Sequence, residues 1–446
     1  MKYDLIVVGG GPGGLMAAKK AAEDGLKVLL IERKKNISEI LRACLQVFYI
    51  HKVTASPDVE EGRARADGYI NPVSVELLPD KTRFNFPVPG FSLDYDGPIT
   101  PYYNWIDLSP SGHAIYRHPP DKNIWGVVFD KEHFLAGLLS DAQKAGAEVW
   151  PETIGVGAEN TPDGVKVRVR GKSGEQTLEA RKAIAADGVR SAIVESLGLN
   201  EKRQVMAPPS TGGGGGLLEY EMEGIETDLP RFSFVWITIP SINPFGNLWI
   251  GLKRMGISSF ATMGTGNLSP KTVLENFMKH PRFAPWFRNA RIVKKIGTSS
   301  GGGRGILAPI KEPVAGNVVI VGDAAAPIET WVQGAVAMAY LAVEAIKKDI
   351  GGQKDYQEYI DWWQKAFAFN DPRYWKVVGA LARLNSICTD EEVDYLYSLF
   401  EGRVGCALGF ITKNLELVKK GRPELYERLK KGSEEAEKRL RELANP

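Results

Sequence analysis

With 446 residues the chain is too long for one simple core, so two or three domains, in series or interleaved, are expected. Hydrophobic residues make up 43% and charged residues 25%, with a formal net charge of +2, which argues against a nucleic-acid partner and against disorder and leaves electrostatics no say in the substrate. The three cysteines, Cys44, Cys388 and Cys406, are scattered and odd in number, which suits a reducing compartment and excludes a disulfide framework or a cysteine metal site.

In chain order, "YDLIVV" (3–8) reads as a buried strand, followed by a glycine turn, a helix through "LMAAKKAAEDG" and a second strand "KVLLIE", together a βαβ unit. Residues 76–124, rich in proline, aromatics and turn pairs, interrupt this pattern. A helix is expected over "KEHFLAGLLSDAQKAGAEV" (131–149). Strands over 164–171 and 180–188 then suggest a small β-layer attached to the first unit. Further strands, "FSFVWITIP" and "GNLWIGLKRMG", lie within 210–300. The last hundred residues read as helices, among them "DYQEYIDWWQKAFAF", "KVVGALARL" and "EVDYLYSLF", with Trp362 and Trp363 in a packed cap.

No apolar run reaches membrane-spanning length, and Asp4 and the glycines break the N-terminal apolar stretch, so it does not read as a secretory signal. A cytoplasmic location is expected, with peripheral membrane contact left open. The histidines His51, His113, His118, His133 and His280 lack ligand spacing, and no metal is expected. The glycine runs Gly212–Gly216 and Gly301–Gly303 read either as flexible loops or as backbone packed against a flat ligand.

"VVGGGPGG" sets Gly9, Gly11 and Gly14 in a GxGxxG between strand and helix. The first glycine allows a tight turn, the second lets backbone approach a pyrophosphate, and the third lets helix and strand pack closely. Glu32, at the end of the second strand, stands where a carboxylate accepts hydrogen bonds from an adenosine ribose. A dinucleotide is therefore expected. Two later segments end strands in polar corners: "AIAADGVRSAIVESLG" at Asp187-Gly188, and "VVIVGDAAAP" at Gly322-Asp323.

In this order the three segments resemble the flavoprotein hydroxylase superfamily, whose fold is that of p-hydroxybenzoate hydroxylase and whose members include geranylgeranyl reductases. The resemblance covers roughly residues 1 to 350. It implies FAD as cofactor, with Asp323 binding the ribityl chain and satisfied by cofactor hydroxyls. A helix beginning near Gly334 would point its positive end at the flavin. It further implies cofactor contacts at Gly13, Arg33, Arg42 in "RACLQ", Lys131 in place of a usual arginine, Gly188 and Ala335.

The implied fold is α/β: a Rossmann-like FAD-binding domain of glutathione reductase type, interleaved with an α+β substrate domain that carries an antiparallel sheet, plus a C-terminal helical region. The division expected is 1–75, 125–205 and 301–350 for FAD, 76–124 and 206–300 for substrate, and 351–446 for the helical region.

The histidine-proline and asparagine usual in the hydroxylases after Gly-Asp-Ala-Ala are absent from "AAAPIETWVQGAVAMA", and the reductase branch looks closer. That branch implies hydride transfer from reduced flavin N5 to a C=C bond of a hydrophobic, isoprenoid-like substrate. The alternatives are an NAD(P)H-dependent flavin monooxygenase, an electron-transfer flavoprotein-type quinone oxidoreductase and a non-enzymatic FAD-binding regulator. The electron donor is NAD(P)H or a protein carrier, since no second GxGxxG is present. Cys44, Tyr49 and His51 are the catalytic candidates, and Tyr102 and His113 lie in similar segments. Tyr102, Trp105, Phe234, Trp236 and Trp249 are the substrate-binding candidates. Phe84, Phe86, Phe91, Tyr103 and Phe232 are further aromatics for an apolar tunnel, with core packing as the competing reading.

Overall fold

A computed structural model describes residues 2–44, 46–50, 69, 71–117, 123–201, 203–207, 216–244, 246–254, 256–263, 268–299, 306–326, 330–371, 384 and 386–444. The apolar runs at 3–8, 28–31 and 318–320 are largely buried and belong to one eight-stranded sheet. Continuous apolar strands with covered faces are what parallel pairing requires. Strand Tyr3–Val8 pairs in parallel with Val28–Ile31 on one side and with the long strand Gly174–Ala185 on the other. The far half of that long strand runs antiparallel to Gly164–Gly171, while its last residues pair in parallel with Val318–Ile320. The expected small β-layer is thus a continuation of the main sheet. Helix Pro12–Glu23 packs against both Lys131–Lys144 and Trp331–Ile350.

The helix expected over 131–149 is shorter. It ends at Lys144, where Gly146 turns the chain with φ 98°, and Glu148–Trp150 becomes an edge strand parallel to Val28–Ile31. A glycine in the left-handed region is an ordinary helix stop.

A second, seven-stranded sheet runs in the order 291–299, 216–223, 257–263, 248–254, 233–237, 104–108, 114–116. Its pairs are antiparallel except where Ser233–Ile237 meets Asn104–Leu108. Helix Pro270–Phe277 covers one face, burying Val273, Leu274 and Phe277 against Tyr220, Met222 and Phe260. The three-stranded sheet Val47–Tyr49, Gly126–Phe129 and Ile99–Tyr102 lies close to the other face, through contacts to strand Leu248–Arg254.

Phe84 and Phe86 join Phe48, Phe129 and Phe134 in the main core. Phe91 stacks on Tyr340 at 4.3 Å, and Tyr103 lies exposed beside Phe232. Core packing therefore accounts for the first two. Trp363 is buried in the main core, with its indole N–H donating to the Ile310 carbonyl at 2.8 Å. The helices Asp390–Ser398, Ala407–Lys413, Leu415–Gly421 and Pro423–Ala444 build a separate cluster that docks on Ile115. The helix expected at "KVVGALARL" lies outside the described residues apart from Leu384, as do His51, His118, Gly212 to Gly215 and Gly301 to Gly303. Among the described residues no helix is long and apolar enough to cross a membrane.

Candidate functional site

The first corner of the site is backbone nested on backbone. Gly9 has φ 107°, and a Cβ there would overlap the Ala186 carbonyl, while a Cβ on Gly14 would overlap the Gly9 carbonyl oxygen. Gly13 leaves space for Val321 and Ala335, whose nearest atoms would be 2.9 and 3.2 Å from a Cβ, so the N-terminal turns of two helices touch. Gly11, the N-cap of Pro12–Glu23, has no side chain to cap the helix, and a Cβ there would meet nothing within 4 Å. Pro12 has no N–H and no side chain caps the first turn, so this helix end is suited to an anionic group.

Glu32 is buried beside this turn, its Oε2 accepting the Gly10 N–H at 2.6 Å and its Oε1 accepting the Lys34 N–H at 2.9 Å. Burial lowers the Lys34 ammonium from its usual range, with Glu32 opposing. Arg33 points to solvent.

Asp187 adjoins Gly9, and burial raises its carboxyl above the usual value. Its Oδ2 accepts the Ile193 N–H at 3.4 Å, and its Oδ1 has no hydrogen-bond partner among the described residues, although Ser191 caps the following helix as its sequence implies. Gly188 has φ 82° and open space in front of it.

At the third corner Gly322 turns with φ 68° and Asp323 follows. Within the chain Asp323 already has partners: Oδ1 accepts the Thr330 N–H at 2.7 Å and its hydroxyl at 2.8 Å, and Oδ2 pairs with the Arg42 guanidinium. Burial would raise this carboxyl, but Arg42 and Thr330 outweigh it and the net shift is downward. An anion-seeking helix end, an unpartnered Asp187 oxygen and the Arg42–Asp323 pair are donor and acceptor chemistry that fits FAD.

The helix expected near Gly334 begins three residues earlier, at Trp331. Gly334 is buried inside the first turns, where a Cβ would come within 2.8 Å of Phe367 and 3.0 Å of Tyr69. Its lack of a side chain thus serves helix packing. Ala335 lies against Gly13 and Gly322.

Residues 40–44 and 46 form no helix or strand and are held from outside. The Ile40 N–H donates to Glu132 at 2.9 Å, and the Cys44 N–H donates to Glu219 Oε2 at 3.0 Å. Gln46, at φ 57°, accepts the Phe129 N–H on its carbonyl and the Lys131 N–H on its side chain. Lys131 is thus tied to this segment through its backbone. Cys44 is half-buried, whereas burial pushes Cys388 up to about 12 and raises Cys406 as well.

Tyr49 is buried, with its backbone N–H donating to Gln333 Oε1 at 2.8 Å and its ring 4.7 Å from that of Trp331. Gln333 also donates to the Asn71 carbonyl at 2.7 Å. Tyr102, Trp105 and Phe234 are fully buried with Tyr49 and Trp125, and the Tyr102 hydroxyl donates to the Leu252 carbonyl at 2.7 Å. Trp236, Trp249 and Trp331 are only partly covered at the margin of this cluster. The structure therefore gathers all five aromatic candidates and divides them into a buried wall and an accessible rim. His113 lies apart, with Nδ1 3.0 Å from Glu401.

Sequence reasoning passed over Thr330, Trp331, Gln333, Glu219 and Lys253. A lone glutamine in the apolar helix "WVQGAVAMA" was a visible signal for Gln333. Glu219 and Glu221 look like the solvent side of an alternating strand, and only the tertiary structure shows them buried.

A family model described as FAD dependent oxidoreductase matches residues 4–37, and one described as FAD binding domain matches residues 128–209. Digeranylgeranylglycerophospholipid reductase of Methanocaldococcus jannaschii is 27% identical over 408 residues, covering 88% of this chain and 89% of its own. The protein of that name from Methanococcus vannielii is 27% identical over 414 residues, covering 88% and 92%. A geranylgeranyl bacteriochlorophyll reductase-like protein from Thermoplasma acidophilum shares the fold with a TM-score of 0.64 at 22% identity, covering 96% of this chain and 99% of that one. p-Nitrophenol 4-monooxygenase from Pseudomonas putida does so with a TM-score of 0.59 at 15% identity, covering 96% and 98%. The chain is an FAD-dependent oxidoreductase, similar over most of its length to archaeal digeranylgeranylglycerophospholipid reductases.

Proposed function

We propose that this protein reduces carbon–carbon double bonds in a hydrophobic, isoprenoid-like substrate. The observation that carries the reading is the Arg42–Asp323 pair, which joins the cysteine-bearing segment to the Gly-Asp corner in a chain similar over most of its length to archaeal lipid reductases.

In this reading Gly9, Gly11, Gly13 and Gly14 with the helix N-terminus bind the pyrophosphate, and Glu32 binds the adenosine ribose. Asp187, Gly188, Gly322, Asp323 and Arg42 hold the rest of the cofactor, with Ala335 supporting that corner. When bound, the flavin supplies a hydride from its reduced N5. Trp236 and Trp249 orient the apolar chain of the substrate over that face. Tyr102, Trp105 and Phe234 form a wall that excludes water, with a transfer free energy of roughly 25 cal/mol per Å² of apolar surface covered. Cys44 stands at the same face, and Tyr49 stiffens it by packing under Trp331.

The divided domain boundaries 1–75, 125–205 and 301–350, 76–124 and 206–300, and 351–446 belong to the same proposal. So does a transiently docked NAD(P)H or protein carrier as electron donor, acting in the cytoplasm with peripheral contact to a lipid surface.

The test is anaerobic photoreduction of the purified holoenzyme, followed by addition of unsaturated isoprenoid lipids while flavin absorbance is recorded. Reoxidation without oxygen, with a saturated product by mass spectrometry, is expected. A flavin that stays reduced with every alkene, yet yields a hydroxylated aromatic in air, overturns the reading in favour of a monooxygenase.

A further inference from the structure

In strand Gly216–Glu223 the residues alternate between two faces. Tyr220 and Met222 enter the core under helix Pro270–Phe277, so Glu219 and Glu221 belong to the face that an amphipathic strand normally gives to water. Here that face is covered: Glu219 is 1% and Glu221 6% exposed. Lys253, 6% exposed, reaches both carboxylates, with Nζ 2.6 Å from Glu219 and 2.7 Å from Glu221. It comes from the irregular position between Leu252 and Arg254, where the ladder shifts register. Such shifts re-aim a side chain. The two glutamates keep the Lys253 ammonium charged against the cost of burial.

A buried ion cluster is weak support for stability, because apolar residues of similar volume serve as well or better. Its geometry suggests another use. Oε1 of Glu219 accepts from Lys253 and from the Ser259 hydroxyl at 2.7 Å, which fixes the carboxylate on the sheet. Oε2 is directed across the interface to the Cys44 N–H at 3.0 Å. The same sheet face meets the site elsewhere, since Gly251 leaves room for the Tyr102 hydroxyl.

We infer that Glu219, anchored by Lys253 and Ser259, is a positioning residue that sets the backbone of Cys44 and thereby the direction of its thiol at the cofactor face. The inference rests on the proposed placement of Cys44 beside the flavin. It assigns the second sheet a part in building the reaction face.

The test is the rate of iodoacetamide alkylation at Cys44 in the holoenzyme, read by peptide mapping, for the native protein and for Glu219→Gln, Glu219→Asp and Glu219→Leu. A glutamine puts its single oxygen on the Cys44 N–H and donates its amide N–H to the Ser259 hydroxyl oxygen, leaving Lys253 to Glu221, so its rate stays within about twofold. Aspartate keeps the charge but falls short by one methylene, and leucine has no acceptor, so both raise the rate about tenfold or more, the loss of one charged hydrogen bond. A purely structural charge cluster gives the opposite order, with aspartate close to native and glutamine disturbed, and that order overturns the inference. Unchanged alkylation in a Glu219→Asp holoenzyme that keeps its FAD also overturns it. If Glu219→Leu does not fold, the glutamine and aspartate variants decide alone. In turnover, Glu219→Asp is expected to lower kcat with KM unchanged. Alkylation needs no substrate, so it judges Glu219 even if no alkene reoxidises the native flavin, and native turnover judges the reductase reading even if the alkylation order fails.

Discussion

Gly14 has no room for a methyl group and Gly11 has only open space before it, and this contrast separates folding from cofactor binding. Gly14→Ala drives a Cβ into the Gly9 carbonyl and is expected to destabilise the protein by about 3 kcal/mol, measured by urea unfolding. Gly11→Ala is expected to leave unfolding of the FAD-free protein nearly unchanged while weakening FAD by about tenfold or more, because the methyl group fills the approach to the helix end, measured by fluorescence titration. Asp323 adds a pH dependence. Its folded pKa lies below the usual carboxylate value, so its contribution is present above the unfolded pKa, about 4, and is lost as pH falls through the folded one. Arg42→Gln removes the cation and leaves burial as the main influence, so acid unfolding followed by circular dichroism should begin at higher pH. The glycine turn, Asp187 and Asp323 were legible in the sequence because local backbone demands and a strand-end carboxylate leave a fixed spacing. The partners Thr330 and Arg42 complete the third corner only by folding, with Arg42 almost three hundred residues upstream of the carboxylate it meets.

Helix Trp331–Ile350 shows how an element can be legible while its start is not. Its apolar residues announce a buried helix, and Gly334 looks like its opening, yet the chain enters at Trp331 with φ 57°. A non-glycine residue in that region costs on the order of 1 kcal/mol or more and persists where surrounding structure demands it. The demand here is visible: the Trp331 ring packs on Tyr49, and two residues on, Gln333 bonds the Tyr49 N–H and the Asn71 carbonyl. Gln333→Leu keeps the volume but strands both backbone groups, so a loss of about 2 to 3 kcal/mol is expected. A thermal midpoint equal to that of the native protein would show that these bonds do not hold the helix end. Strand 216–223 is hidden for a different reason. Its residues alternate, but which face meets water depends on what packs there, and that is set by chain segments far away in sequence.

At the scale of the molecule, the C-terminal helices are bound to the edge of the second sheet. Gly402 and Gly405 pair through their backbones with Ala114 and Tyr116, and Asp390 and Asp394 accept hydrogen bonds from Ser241, Ser109 and Ser111. Beneath this contact lies a buried pair, with Arg117 Nε 2.7 Å from Asp107 and the guanidinium 4.3 Å from the Trp236 ring and 5.2 Å from the Trp105 ring. The Ala407 N–H reaches the same carboxylate at 3.5 Å, so one ion pair touches the aromatic rim and the helical region together. Nothing in the local sequence marks Arg117, because its value comes from strands and helices that meet only in the folded chain. Arg117→Met is expected to destabilise by about 3 to 5 kcal/mol at neutral pH, since Asp107 is left buried without its cation. Burial already raises Asp107, with Arg117 opposing, so removing the cation raises it further. A raised carboxyl is favoured neutral in the folded state, and the penalty of Arg117→Met therefore shrinks as pH falls and Asp107 takes up a proton. Asp107→Asn with Arg117→Met should recover much of the loss at neutral pH, a coupling readable from urea unfolding of both single variants and the double variant. Equal penalties at pH 7 and pH 5, with no recovery in the double variant, would mean that Arg117 acts through ring packing on Trp105 and Trp236 and not through its charge.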